Sequence, residues 1–548
     1  MPALAQKSIS VRTFGAQPND NRDDQPAFQQ LIKRMEEQPG NYIVSIPKGV
    51  YHLDRPLSTK GLQKNIVFKG EPGTRIVIRG HGGGLLIAAS AQATLLRPLM
   101  RNQTQAAIRV PGNFRVEAGD LIHIQSNTPF ETGWKYTEND IQRIAKISGN
   151  QVEFEEKALF NYDPSKEKVT VTIYKKCFLQ FSNISFLLDV DALPGHPIAE
   201  STLGLKGVSA DFRNVSFDYS GKKELYHLGV NAVACEGLTF NNIKLANLQY
   251  GILMNYCRNV EAFDTKATFC RHAYAPAQAC YNVYIEKLRG LRCQSAMDGH
   301  NSFLVHYKDV VDSLATQLPN CRSLGTIIEN TRVIMTGNYT QLYCYWSVQL
   351  LTPEYLPLYG EYDTRFSNVH WVSANPGSFN GLNSFSCRRL IVENCTTHSV
   401  AYYGDQKVLQ KAEIRNSRIG VIRIDAHNAI IENTVMDGKL MPNSDYVFRF
   451  TGRGDCQINN VTVKNYNPAK TYLFDYADNV PGVNNMSITG SNIEPLKGWV
   501  KKLTYPGKPV HSIKVNESMI SEFRDPLPRE YPALQKEIRS AKLKYRKQ

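Results

Sequence analysis

The chain has 548 residues, 42% hydrophobic and 21% charged, and no window approaches the run of about 18 apolar residues that a membrane helix needs. Sixty-four lysines and arginines against fifty acids give a net charge of +14, which favours a polyanionic partner through long-range attraction. Eleven scattered cysteines form neither a CxxC pair nor a Cys/His set at zinc spacing. No disulfide framework or structural zinc is therefore indicated.

In chain order, Lys7 arrives before any apolar core, so the sequence shows no secretory signal. "ALAQ" at residues 3–6 resembles the scar of a signal-peptidase site, which leaves a removed leader open. Next comes PNDNRDDQPAF, with Asp20, Asp23 and Asp24 in five positions. Paired acids suit a glycosidase or a metal. Here, however, they precede Phe28, Leu31, Ile32 and Met35 at helical spacing. The reading is a helix with an aspartate N-cap, whose carboxylate accepts first-turn amides, and with Pro26 where no amide is needed.

The segments "YIVSIPKGVYHL" and "NIVFKGEPGTRIVI" alternate apolar residues between glycine and proline breaks, which predicts strands. Taken with "VRTFGAQPNDNRDDQPAFQQLIKRM", they resemble the N-terminal pattern of the pectate-lyase-like right-handed β-helix superfamily. That superfamily includes pectin-active enzymes and bacteriophage tailspike depolymerases. The resemblance implies that the helix caps the open end of a β-helix. It leaves the reaction open, because one fold hosts many activities.

Residues 86–176 break the pattern. "FRVEAGDLIHIQSN" and "IQRIAKISGNQVEFEEKALFNYD" read as short antiparallel strands with a Gly-Asn turn, a small β insertion. From Cys177 to about residue 500 the chain repeats. Aligning "EGLTFNNIKLANLQYGI", "RNVEAFDTKATFCRHAY" and "YNVYIEKLRGLRCQSAM" puts Gly237, Asn259 and Asn282 in one column, and Leu248, Cys270 and Cys293 in another. The spacings are 22 and 23, and "RNVSFDYSGKKELYHLG", with Asn214, joins 23 residues earlier. A period in the low twenties without a helix suits stacked β-coils, with asparagine in left-handed turns. The eight N-x-S/T matches, Asn214 and Asn394 among them, follow from this turn grammar. The basic, helix-compatible stretch after residue 500 reads as a C-terminal cap and tail.

Alternation along a strand separates inward from outward columns. Ile252, Tyr274 and Met297 should point inward. His272, with Tyr250 above and Ser295 below, shares their parity, so "RHAY" reads as a buried, hydrogen-bonded histidine. The outward columns run Glu224, Asn247, Phe269, Arg292 and Tyr226, Gln249, Arg271, Gln294. If the strand continues through "MDGHNSF", Asp298 and His300 face outward too. This collection suits a sugar-binding groove. Phe269 would stack on a pyranose, and Arg271 and Arg292 would hold a uronate carboxylate or a sulfate. Hydrolysis requires two carboxylates about 5 to 9.5 Å apart. Glu224 and Asp298 lie three coils apart, about 14 Å. β-Elimination requires a base, Tyr226 or His300, and a neutralising cation, Arg271 or Arg292. "RVIMTG" and "VIRIDAH" lack the lysine of the polygalacturonase Arg-x-Lys element, and that family's paired-aspartate elements are also missing.

The expected fold is all-β: a single-stranded right-handed parallel β-helix with an N-terminal capping helix and a small antiparallel β insertion. The expected domains are 1–85 (cap and first coils), 86–176 (insertion), 177–500 (β-helix) and 501–548 (C-terminal cap and basic tail). The expected catalytic residues are Tyr226, Arg271, Asp298 and His300. Glu224, Asn247, Gln249, Phe269, Arg292 and Gln294 are expected to bind substrate. No cofactor is indicated, and no cluster of acids marks a calcium site. The expected partner is an acidic polysaccharide rather than nucleic acid, since no helix-turn-helix, RNP or zinc-finger pattern occurs. The resemblance adds a choice of settings: a homotrimeric tailspike-like virion depolymerase, a secreted monomeric polysaccharide lyase, or a non-catalytic structural or adhesive virion part.

Overall fold

The structure, a computed structural model, describes residues 6–131, 136–190, 200–221, 227–316, 320–336, 360–373, 381–384, 387–402, 409–424, 428–450, 454–475, 485–500, 512–516 and 518–520. The chain divides into two compact units, Met1–Ala315 with Pro319–Ser323, and Thr316–Leu318 with Leu324–Gln548.

The first unit opens with the helix Gln25–Glu37, which buries Phe28, Leu31, Ile32 and Met35. Phe28, Leu31 and Ile32 line an apolar space together with Phe68, Phe181 and Phe186 of the first coils, so the helix closes the end of the stack. Asp24 is the N-cap residue, but its side chain makes no cap bond. Its carboxylate accepts instead from the amides of Gln17 (2.8 Å) and His52 (3.1 Å). Asp23, one residue earlier, accepts from the amides of Gln25 and Asp54, both at 3.0 Å. The two acids tie the helix entrance to the first coils, where backbone amides would otherwise lack acceptors.

Behind this cap, strands stack in parallel and in register. Leu238, Val260, Val283 and Val305 are successive partners, as are Leu228, Tyr250 and His272. The fold is a right-handed parallel β-helix. Gly237, Asn259 and Asn282 share left-handed backbone (φ 70°, 54°, 56°), and Leu248, Cys270 and Cys293 are all fully buried. Stacking repeats the same chemistry at each rung. Phe68, Phe181, Phe212 and Phe240 form a column of near-parallel rings with centroids 5.0, 4.9 and 5.0 Å apart. The described cysteines are free, and Cys235, Cys257 and Cys280 fill one buried column.

The alignment of Asn214 with Gly237 is corrected. Ala210 pairs with Leu238, so this rung is 28 residues long. Asn214 lies under Asn242, whose Nδ2 donates to it at 2.7 Å. Both occupy the left-handed bend in the middle of each long strand, not the one near its start. The extra residues fall between the strands that end at Tyr219 and begin at Leu228, which parallel stacking tolerates because only strand register is fixed.

Strands Ser90–Leu95, Gln105–Arg109, Leu121–Glu131, Tyr136–Ser148, Gln151–Phe154 and Val169–Tyr174 form a closed antiparallel barrel, with Gly149 and Asn150 turning between Ser148 and Gln151. Arg258 of the coils pins this barrel. Its Nη1 is 3.3 Å from Asp140, its Nη2 is 2.9 Å from Glu156, and its guanidinium lies over the Tyr281 ring.

The second unit is also a stack of parallel strands, from Ile327–Met335 through Asp363–Ser373 and Arg389–Glu393 to Ser512–Asn516. Asn330, Asn368, Asn394, Asn416, Asn433 and Asn460 take the left-handed turn. Asn368 donates to Asn330 (2.9 Å) and Asn460 to Asn433 (2.7 Å). Rung length varies here, so the constant period of the middle coils does not extend through it. Of residues 501–548, expected to form a C-terminal cap and tail, Ser512–Asn516 and Met519–Ile520 continue the parallel stack, and nearly all the rest lies outside the described residues.

Candidate functional site

The middle rungs of the first unit have a long strand, a left-handed turn at Asn247, Phe269 or Arg292, then a short strand. The short strands are Leu228–Val233, Tyr250–Asn255 and His272–Ala277, followed by the segment that begins the strand Asp298–Lys308. At the last of these the ladder thins. Only Tyr274↔Met297 and Ala277↔His300 pair across it. Buried side chains supplement the main-chain bonds. Asp312 Oδ2 accepts from the Ala296 amide (2.8 Å), and Ser295 Oγ donates to Met297 O (2.7 Å). The Tyr307 hydroxyl accepts from the Asp298 amide (3.2 Å) and donates to its carbonyl (2.6 Å). Main-chain bonds from Ser295 N to Arg271 O (3.0 Å) and from Ala273 N to Ala296 O (3.1 Å) keep the 23-residue step, and the side chains secure residues 295–298 from the other side.

This arrangement brings His272, Asp298 and His300 together. Asp298 Oδ2 is 2.8 Å from His300 Nε2 and 3.8 Å from His272 Nε2. The carboxylate is fully buried, His272 nearly so, and the His300 side chain is 19% exposed. The contact turns His300 Nε2 towards the carboxylate and leaves Nδ1 as the ring's other nitrogen. His272 Nδ1 is 2.9 Å from Ser295 O, which only accepts, so His272 holds its proton there. Burial lowers the pKa of His272, with Asp298 opposing and Arg271 assisting. The His272 ring packs on Tyr250 (centroids 5.5 Å apart), and the Arg271 guanidinium lies 5.4 Å from the Tyr250 centroid. Together these residues put one imidazole against a buried carboxylate and a second on the Tyr250 ring, over which the Arg271 guanidinium lies.

Several expected positions move. Asp298 was expected on the open face and is instead buried. His272 is buried as expected, yet it joins the cluster. Asn247, Phe269 and Arg292 do not lie on a strand face. They form the left-handed turn column (φ 58°, 55°, 53°) just before the short strands. Phe269 is 48% exposed with Arg292 5.9 Å from its ring centroid, and Asn247 Nδ2 donates to Asp218 (2.9 Å). Gln249, Arg271 and Gln294 are half-buried and level with one another, and His227 precedes them in that column. Glu224 and Tyr226 lie outside the described residues. Tyr250 is the site residue that parity reasoning treated only as a neighbour. Its one signal was the 22-residue step to His272.

Among the described residues, no group of three or more histidine, cysteine or acidic side chains could hold a metal ion, and no helix is long and apolar enough to cross a membrane.

Comparison with known proteins agrees with this architecture. Residues 8–254 match the model of the family described as rhamnogalacturonase A/epimerase, pectate lyase-like. The tailspike gp54 of Acinetobacter baumannii bacteriophage AP22, solved in complex with A. baumannii capsular saccharide, is similar at 15% identity, with a TM-score of 0.55 over 93% of this chain and 79% of that one. The tailspike gp61 of Pseudomonas phage phi297 is similar at 14% identity, with a TM-score of 0.53 over 85% of this chain and 82% of that one. No curated protein matches the sequence. The fold is that of the pectate-lyase-like β-helices, tailspikes included.

Proposed function

We propose that the chain binds an acidic polysaccharide and cleaves it by β-elimination on the face that carries Tyr250, Arg271 and His300. The observation that carries this reading is the Asp298–His300 contact at 2.8 Å, with Arg271 over the adjacent Tyr250. His300 Nδ1 removes the proton α to a uronate carboxylate. Asp298 holds the ring and stabilises the imidazolium that forms. Arg271 neutralises the substrate carboxylate, so that negative charge can develop beside it. The glycosidic oxygen then leaves, forming a carbon–carbon double bond in the sugar. Hydrolysis fits less well. Among the described residues, the next carboxylate in this column of rungs, Glu200, stands four rungs from Gln294, about 19 Å, beyond the spacing of either hydrolytic geometry.

The similarity to tailspikes, one of them solved with a capsular saccharide, supports a capsule or exopolysaccharide as substrate and the virion tail as the setting. A homotrimer would suit that setting; a secreted monomeric lyase is the other arrangement open to the same site.

The test is incubation with a panel of acidic glycans, read at the absorbance of the unsaturated sugar and by reducing ends. Both should rise together. His300→Ala should abolish turnover, and Arg271→Ala should lower it by about 10²-fold or more, with melting temperatures close to wild type. Reducing ends without the unsaturated chromophore would mean hydrolysis. Binding without either would mean an inert adhesive part.

A further inference from the structure

On the other side of the Asn247–Phe269–Arg292 turn, the second half of each long strand presents a second surface. Lys244, Lys266 and Arg289 are direct partners on three successive rungs and all are exposed. Parallel partners stand ~4.8 Å apart, and like charges directly opposite on a sheet are destabilising. A fold that keeps three cations in register accepts that cost. Beside them runs an apolar stripe. Phe269, Leu291 and Leu314 are 48%, 44% and 39% exposed, three of the five large apolar side chains so exposed among the described residues. Arg292 adds a fourth cation over the Phe269 ring.

The carboxylates nearby do not cancel this charge. Asp218, at one end, is bonded to Asn247, and the bend column carries Asp264 and Asp309 with Lys287 between them. Arg289 Nη1 donates to the main-chain oxygen of Asp309, not to a carboxylate.

We infer that this strip is a second, non-catalytic binding site for a linear acidic glycan lying along the stack, about one sugar to a rung. A pyranose is roughly as long as one coil is thick, and it offers both features the strip requires. Its carboxylate or sulfate meets the cation ladder, and its C–H face lies on Phe269, Leu291 and Leu314. Nucleic acid fits less well, because duplex phosphates follow one another at about 3.4 Å of axis per strand on a curved path, while the ladder is straight with a longer step. The choice of glycan rests on the proposed function; the existence of the strip does not.

The test is affinity electrophoresis of the full chain against polygalacturonate, alginate, hyaluronate and xanthan, with dextran as neutral control and single-stranded DNA as the competing polyanion. The triple variant Lys244→Ser, Lys266→Ser, Arg289→Ser should bind at least one of the four acidic glycans about tenfold more weakly at low salt. It should cleave a short acidic oligosaccharide as wild type does. His300→Ala should bind as wild type. If wild type retains none of the four glycans, if the triple variant binds like wild type, or if only DNA binding falls, the strip is not a glycan site. A wild type that binds an acidic glycan through Lys244, Lys266 and Arg289 but cleaves none of the four would count against the proposed elimination and leave the strip standing.

Discussion

Asp312 shows what a single buried group contributes. It is fully buried beneath the site, and its Oδ2 accepts from the Ala296 amide. Burial pushes its pKa up to about 7 from 3.8, with that hydrogen bond opposing. A carboxyl whose folded pKa is raised stabilises the fold below the unfolded pKa and loses that contribution as pH rises to the folded value. The wild type should therefore lose up to about 4 kcal/mol from this group between pH 4 and 7 and no more above it. Asp312→Asn keeps an acceptor for Ala296 and should remove this part of the slope, raising stability at pH 8. Denaturant midpoints of both proteins from pH 5 to 8 test this, and parallel profiles would show that the carboxylate is not the source. His123 acts in the opposite sense. Burial lowers it to about 4, so its contribution is lost as pH falls from 6.5. The difference between the two proteins, not the wild-type profile alone, is therefore the informative quantity.

Among elements, Arg258 is the buried tie between barrel and coils, beside Arg143 on Glu236 and Phe160 on Phe303. Arg258 is 3% exposed, contacts Asp140 and Glu156, and donates to Ile141 O at 3.2 Å. Asp140 is also buried and keeps bonds from Leu159 N (2.7 Å) and Gln142 Nε2 (2.9 Å). Removing the guanidinium leaves that carboxylate without its countercharge, and breaking such a buried pair costs about 3–5 kcal/mol. Arg258→Ala should lower the melting temperature and open the barrel to limited proteolysis near residues 137–160. Unchanged cleavage there would show that the barrel holds without the pin. The helix, the barrel's Gly-Asn turn and the middle rungs were legible in the sequence because each has a local signal: period 3.6, a turn dipeptide, a repeat of 22–23. The Asn214 register was not, because two left-handed asparagine columns look alike until the hydrogen bond to Asn242 separates them. Nor was the Asp298–His300 pair. Alternation separates faces but not depth: Asp298 and His300 keep the 23-residue register, yet Asp298 is fully buried, with its main chain bonded to Tyr307, which is distant in sequence.

At the scale of the molecule, each unit is a stack in which every rung contacts chiefly its neighbours, so stability grows by nearest-neighbour terms and charge accumulates along the surface. The net charge of +14 has a kinetic consequence if the substrate is a polyanion. Encounter depends on the summed field, which salt screens beyond about 10 Å at 0.1 M. The proposed proton transfer depends on Asp298 and His300, in contact at 2.8 Å, the carboxylate fully buried and so shielded from ions. Ionic strength should therefore lower kcat/KM for a long acidic glycan steeply, while kcat at saturation changes little. A short oligosaccharide of the same sugar, carrying few charges, should show a shallower slope. Steady-state kinetics on both substrates over a salt series would separate these effects. A parallel fall of kcat and kcat/KM would locate the sensitivity in the cluster itself and not in the approach of the chain.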